Sequence, residues 1–134
     1  MSRKTSKIFL QSGVIPYRVK DGKLEVLLIT TRNSQAWAIP KGDISNGMTP
    51  ADSAAKEAWE EAGVVGQVFT AEVGSYKYSK RGKTYRVKTF LLPVESVSED
   101  YPEASKRQRR WLEISLAVKR VKKASLKRIL KKLK

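Results

Sequence analysis

The chain contains neither cysteine nor histidine. Without thiols there are no disulfides, zinc–thiolate sites or cysteine nucleophiles, and a reducing compartment suits it. Lacking imidazole, it cannot assemble a Ser-His-Asp or Cys-His triad. Its acid–base groups are carboxylates, lysines and tyrosines, which leaves carboxylate-plus-metal chemistry as the main catalytic route. Carboxylates are themselves scarce, 13 against 28 Lys and Arg, for a net charge of +15. Long apolar runs are missing too. No stretch approaches the roughly 18 residues of a membrane-spanning helix, and the opening Met1-Ser-Arg-Lys-Thr-Ser-Lys7 is not followed by an apolar run of signal length. A soluble, cytoplasmic protein is expected. With 134 residues the chain can bury one core but not a second. A single domain over residues 1–134 is therefore expected, with no repeat, linker or low-complexity insert.

Against this scarcity of acid, residues 42–64 stand out, reading GDISNGMTPADSAAKEAWEEAGV. Thr49 as N-cap, Pro50 at the first helical position, Asp52 in the first turn and Gly63 as terminator predict a helix between them. On that helix Glu57, Glu60 and Glu61 stand at i, i+3 and i+4. At about 3.6 residues per turn they fall within an arc of roughly 100°, close enough to share a hard divalent cation. Ala51, Ala54, Ala55, Ala58 and Ala62 form a stripe of small residues that lets the helix lie close on a sheet. The glutamates are then expected on its flank, neither buried nor free in solvent. Three glutamates on a helix are more often only a solvated face, so the helix alone does not decide.

Taken with the preceding Trp37-Ala-Ile-Pro-Lys41, this segment resembles the Nudix box: glycine, five residues, glutamate, seven residues, then Arg-Glu-U-x-Glu-Glu-x-Gly-U, where U is apolar. The match falls on Gly42, Glu57, Ala58, Glu60, Glu61, Gly63 and Val64 without insertion or deletion. The resemblance implies an α/β fold, an α/β/α sandwich around a mixed central β-sheet. It also implies hydrolysis of a phosphoanhydride with Mg²⁺ or Mn²⁺. It assigns Glu60 and Glu61 to the metal and makes Glu57 base or further ligand. The backbone carbonyl of Gly42 is another ligand by the same resemblance. Relatives often add an acid from outside the box, and Glu103 is favoured here over Glu95, Glu99 and Asp100. Two positions depart from the pattern. Met48 stands where the family has its first glutamate, which predicts fewer bound metals or a weaker enzyme. Lys56 replaces an arginine that orients a catalytic glutamate, keeping the charge but not the planar fork.

For substrate contact, Arg32 and Lys41 are the cations best placed. The Pro40-Lys41-Gly42 element is similar to that of diadenosine polyphosphate and diphosphoinositol polyphosphate hydrolases, whose substrates are densely anionic. A second basic patch interleaves Lys77, Lys80, Arg81, Lys83, Arg86 and Lys88 with Tyr76, Tyr78 and Tyr85, and offers Tyr76 and Arg86 as ligand contacts, although an exposed hairpin carries lysines in any case. Residues 106–134 hold thirteen Lys and Arg against the single Glu113. There Val118, Val121, Leu126, Ile129, Leu130 and Leu133 make a core-facing stripe. The outward charge suits RNA, an acidic membrane surface or a phosphorylated substrate. Hydrolysis of a polyphosphorylated small molecule is the leading expectation. The alternatives are an RNA 5′ pyrophosphohydrolase using the basic tail as an arm, and a degenerate domain that binds nucleotide or RNA without turnover.

The expected elements are strands over 8–18 and 24–30 joined by the turn Lys20-Asp21-Gly22-Lys23, and a strand over 64–73. A hairpin of 75–79 with 84–94 follows, then a last strand over 110–114. A basic helical segment from about 115 is broken near Ala124-Ser125. Trp37 and Trp111 are read as scaffold residues.

Overall fold

The computed structural model describes residues 7–32 and 35–134; the reading of the first six residues lies outside them. The organising element is the long strand β1 (Ile8–Lys20). It turns into β2 (Lys23–Thr30) through Asp21 and Gly22, whose φ values of 52° and 76° are the two positive values that a type I′ hairpin turn needs. Next come β3 (Trp37–Ala38), β4 (Lys41–Asp43), helix α1 (Pro50–Ala62), β5 (Val64–Val65), β6 (Gly74–Lys80), β7 (Lys83–Pro93), β8 (Ser96–Val97), β9 (Arg109–Glu113), α2 (Ile114–Arg120) and α3 (Ala124–Lys131). The main sheet runs β3-β2-β1-β7-β6, with β4 on β1 and β9 on β2. It is mixed, because β1 and β7 pair in parallel from Ile8↔Thr84 to Tyr17↔Pro93 while the other pairings are antiparallel.

Successive strand residues point to opposite faces, and the apolar run of β2 feeds both. Leu27 and Ile29 join Val14, Phe90 and Leu92 against Ala51, Ala54, Ala58 and Ala62 of α1. Val26 and Leu28 join Ile15 and Val87 against Ala117, Val118, Leu126, Ile129 and Leu130 of α2 and α3. The result is the expected α/β/α sandwich. Methyl side chains on α1 remove the spacing that larger residues would impose, so its flank comes close to β1 and β4. The caps are those read from the sequence: Thr49 Oγ1 accepts the Asp52 N–H at 3.1 Å, and Gly63 ends the helix at φ 68°.

Two boundaries differ from expectation. Of the strand expected over 64–73, only Val64 and Val65 pair, with Val97 and Ser96. Beyond them the chain follows β7 through isolated bonds, Phe69 N–H to Leu91 O and Val73 N–H to Thr89 O, both 2.9 Å. Gly66 is pressed so closely on the Pro93 carbonyl that a side chain would not fit. The helical segment breaks at residues 121–123, earlier than Ala124-Ser125. Val121 is extended and 1% exposed, anchored in the core, and Lys127 Nζ donates to the freed Val118 carbonyl at 2.7 Å.

Candidate functional site

Close approach of α1 to β4 determines where its glutamates lie. A Cβ built on Gly42 would overlap the Glu57 carboxylate, so the missing side chain is what makes room for that acid. Glu57 and Glu61 are 6% and 7% exposed, which corrects the expected half-open flank; the alanine stripe draws that side of the helix inward. Burial raises the pKa of both acids, that of Glu61 to about 7, with the neighbouring charge of Glu57 adding to it. Partial compensation for Glu61 comes from the Lys41 N–H at 3.1 Å and Arg107 Nη2 at 3.4 Å. Glu60 lies further out and takes Lys56 Nζ at 3.2 Å, while Glu57 has the same ammonium at 3.8 Å. Lys56 therefore serves Glu60 first, and the hydrogen bond to Glu60 raises its own pKa.

Glu103 is brought to this cluster by the turn before β9. Its N–H donates to the Glu60 carbonyl at 3.0 Å, and its carboxylate accepts Arg107 Nε at 2.8 Å. Glu99, by contrast, is almost fully exposed beside Arg109. Among the described residues, no three acids converge tightly enough to cage a cation unaided. A pair of buried carboxylates with incomplete compensation nevertheless suits a hard cation that keeps several waters and takes further oxygens from its substrate. Glu57 and Glu61 are the residues that would hold it, with Glu60, Glu103 and the Gly42 carbonyl as proposed additions.

Beside the acids opens a cleft of about 860 Å³. Among the described residues its lining includes Arg32, Lys41, Lys80, Arg107, Lys122 and Lys123 and no carboxylate. Lys41 joins the two regions, its backbone bonded to Glu61 and its half-buried ammonium 4.7 Å from the Tyr78 ring centroid. Burial lowers the Lys41 pKa, and Arg107, Lys80 and Lys123 lower it further; Glu61 opposes them. Tyr78 Oη donates to Gln11 at 2.7 Å, and burial pushes its pKa up to about 12.

Among the residues expected to contact substrate, Arg32 and Lys41 line the cleft, and Tyr76 forms its floor from within the core at 4% exposure. Arg86 does not line it. Its side chain is on the other face of the hairpin, where Nε donates to Ser75 Oγ at 3.3 Å. Alternation along β7 turns it away from the face of Tyr85 and Val87. Trp37 packs against the core, as a scaffold residue should, and also lines the cleft. The sequence reading missed Arg107, which ties Glu61 and Glu103 together and donates through Nη1 to the Thr30 carbonyl at 3.1 Å. The i, i+4 spacing of Glu103 and Arg107 was an available signal, lost inside a long basic run. Lys122 and Lys123 were read only as part of a charged tail; the break before α3 makes them a wall of the cleft.

A mixed sheet between helices, with a buried acid pair next to a cation-lined cleft, defines an α/β/α protein suited to phosphorylated ligands. The NUDIX domain profile matches residues 10–133, and the chain belongs to the Nudix family. Nudix hydrolase 12, mitochondrial, of Arabidopsis thaliana is 32% identical, with 81% of this chain and 64% of the relative aligned. Diphosphoinositol polyphosphate phosphohydrolase 2 of Rattus norvegicus is 31% identical over 71% of this chain and 53% of its own length. The crystal structure of a C. elegans Ap4A hydrolase superposes with a TM-score of 0.77 at 26% identity, covering 95% of this chain and 96% of that one. The chain spans about 64% of the length of Nudix hydrolase 12 and between 53% and 70% of that of other curated relatives.

Proposed function

We propose that the chain is a divalent-metal-dependent hydrolase of phosphoanhydrides in a densely phosphorylated small molecule, a dinucleoside polyphosphate or a diphosphoinositol polyphosphate. The observation that carries this reading is Lys41, whose main chain holds Glu61 of the acid pair while its side chain lines the cationic cleft. Phosphates drawn to Arg32, Lys41 and Arg107 are thereby presented beside Glu57 and Glu61. Water adds to phosphorus, the bridging P–O bond breaks with its electron pair leaving on the departing phosphate, and a carboxylate of the acid site takes the proton. Mg²⁺ or Mn²⁺ held at the acids would supply charge neutralisation and a lowered pKa for water. Lys56 holds Glu60 and steadies the outer edge of the cluster.

The test is product release from dinucleoside polyphosphates, diphosphoinositols, nucleoside triphosphates, nucleotide sugars and triphosphorylated RNA, each with Mg²⁺, Mn²⁺ or EDTA. Metal-dependent turnover concentrated on the first two classes is expected. Preference for RNA ends would move the proposal to 5′ pyrophosphate removal, a reading favoured by the cations Lys122 and Lys123 at the cleft wall. Binding across the panel without turnover would sink the hydrolase reading and make Met48 and Lys56 the marks of a degenerate site. A single domain over residues 1–134 and a cytoplasmic setting are part of the proposal, the latter supported by the absence of cysteine. Among the described residues, no helix is long and apolar enough to cross a membrane. Relatives whose names place them in mitochondria make cell fractionation the relevant check.

A further inference from the structure

One end of the sheet, made by the start of β1, the end of β6 and the start of β7, reaches solvent on both faces. Ile8 and Leu10 on one face are 41% and 48% exposed. The other face, on the cleft side, carries three rings in register: Phe9 pairs with Tyr85, and Tyr85 pairs with Tyr78. The centroids are 5.7 Å apart for Phe9 and Tyr85 and 5.0 Å apart for the stacked Tyr85 and Tyr78. Ammonium groups flank this ladder at each end. Lys7 and Lys83 lie 5.1 and 5.3 Å from the Phe9 centroid, and Lys41 and Lys123 lie 4.7 and 5.7 Å from that of Tyr78.

Charge on this end is not balanced. Residues 73–88 hold six Lys and Arg and no acid. Lys77 stands directly opposite Arg86, and Lys80 opposite Lys83, an arrangement that costs a hairpin stability. The β1–β2 hairpin provides the contrast within the same molecule. Its Lys20↔Lys23 pair has Asp21 in the turn, and Arg18 bonds Glu25 at 2.7 Å. Tyr78 and Lys80 also line the cleft, so the ladder is continuous with it. Aromatic rings across adjacent strands, bordered by lysines, form a platform that accepts successive bases through stacking and backbone phosphates through charge. An anionic bilayer would use the charge and leave the rings without a role, and the exposed basic side of α3 offers charge alone.

We propose that this end of the sheet is a docking surface for single-stranded nucleic acid, which leaves the cleft at Tyr78 and crosses Tyr85 toward Phe9. The inference goes beyond hydrolysis, since binding at the ladder requires no turnover. It is tested by fluorescence anisotropy of 3′-labelled 12-nucleotide single-stranded RNA and DNA over a salt series. Inorganic polyphosphate and phosphatidylserine vesicles serve as competitors. Tyr85→Ala should weaken nucleic-acid binding by at least about fivefold without changing that of polyphosphate, because only the nucleic acid has bases to stack. Tyr85→Leu, which keeps the bulk but loses the aromatic face, should weaken it similarly and guards against local unfolding of the smaller variant. A Lys7→Ala/Lys83→Ala double variant, which strips both ammonium groups from the Phe9 end of the ladder, should flatten the log–log salt slope by about 0.7 per cation removed. Turnover of small substrates by the double variant should stay unchanged. RNA and DNA binding that is equal in parent and both Tyr85 variants overturns the proposal. So does stronger competition by vesicles than by unlabelled RNA at equal phosphate. Loss of all hydrolase activity on the panel leaves these binding outcomes readable.

Discussion

Replacing Gly42 with alanine puts a methyl group where Glu57 already lies. The new Cβ would stand 2.6 Å from Glu57 Oε1, against an ordinary contact of 3.4 Å or more. Gly42 is not in the left-handed region, so alanine meets no backbone penalty and the clash is the whole effect. The carboxylate must retreat by about 1 Å, a displacement that can cost around 100-fold in turnover at a reacting centre. At 6% exposure Glu57 has little free space, with Lys56 already at 3.8 Å. Overpacking of this kind costs about 1–3 kcal/mol, or roughly 4 °C of melting temperature per kcal/mol for a chain of this size. Steady-state kinetics on the best substrate of the panel and a thermal melt measure both parts. Adding Glu57→Asp to Gly42→Ala shortens the acid by one methylene and should recover part of the lost stability, a coupling that independent sites would not show. Turnover within threefold of the parent and an unchanged melt would refute the reasoning.

Glu61→Gln keeps the volume and removes the charge. Turnover should fall by at least about tenfold with the fold intact, and the stabilisation by Mn²⁺ at ~100 times its dissociation constant, about 2.7 kcal/mol in the parent, should shrink. Unchanged kinetics and an unchanged metal response in both Glu61→Gln and Glu57→Gln would remove the two acids from the site. Arg107→Ala strips the shared partner from Glu61 and Glu103 where the arginine side chain is only 12% exposed, and should cost about 3–5 kcal/mol by urea unfolding. Arg107→Lys replaces the three separate nitrogens that reach Glu61, Glu103 and the Thr30 carbonyl with one and should recover less than half of that; full recovery would show that charge alone matters. Arg81 sits at φ 52° in the β6–β7 turn, where asparagine is at ease. Arg81→Asn should therefore raise stability by up to about 1 kcal/mol, and a lower melting temperature would count against the turn assignment.

Much of the scaffold was legible before folding because its signals are local. Thr49, Pro50 and Gly63 bound a helix through bonds made within one turn of themselves, and Asp21-Gly22 and Arg81-Gly82 close hairpins through their own φ angles. The extent of the strand after Val64 was not legible. Whether those residues pair depends on β7 and β8, which arrive later in the chain, and on how closely Gly66 is pressed to Pro93. The small break between the last helices was misplaced for a similar reason: the apolar pull on Val121 comes from a core assembled by distant strands.

By itself the sequence determined the chemistry available to this protein. With no cysteine or histidine, the acid–base groups left are carboxylates, lysines and tyrosines; Glu57, Glu60 and Glu61 stand at helical spacing beyond Gly42, and the excess of Lys and Arg suits an anionic partner. Only the tertiary structure decided which acids are buried and which cations face them. Helical spacing sets an angle around an axis, whereas burial depends on what that face meets, and here the alanine stripe and the bare Cα of Gly42 admit Glu57 and Glu61 while leaving Glu60 outside. The same holds for Arg107, Lys122 and Lys123. One-dimensional charge has no direction; folding back over the sheet gave it one, into the cleft.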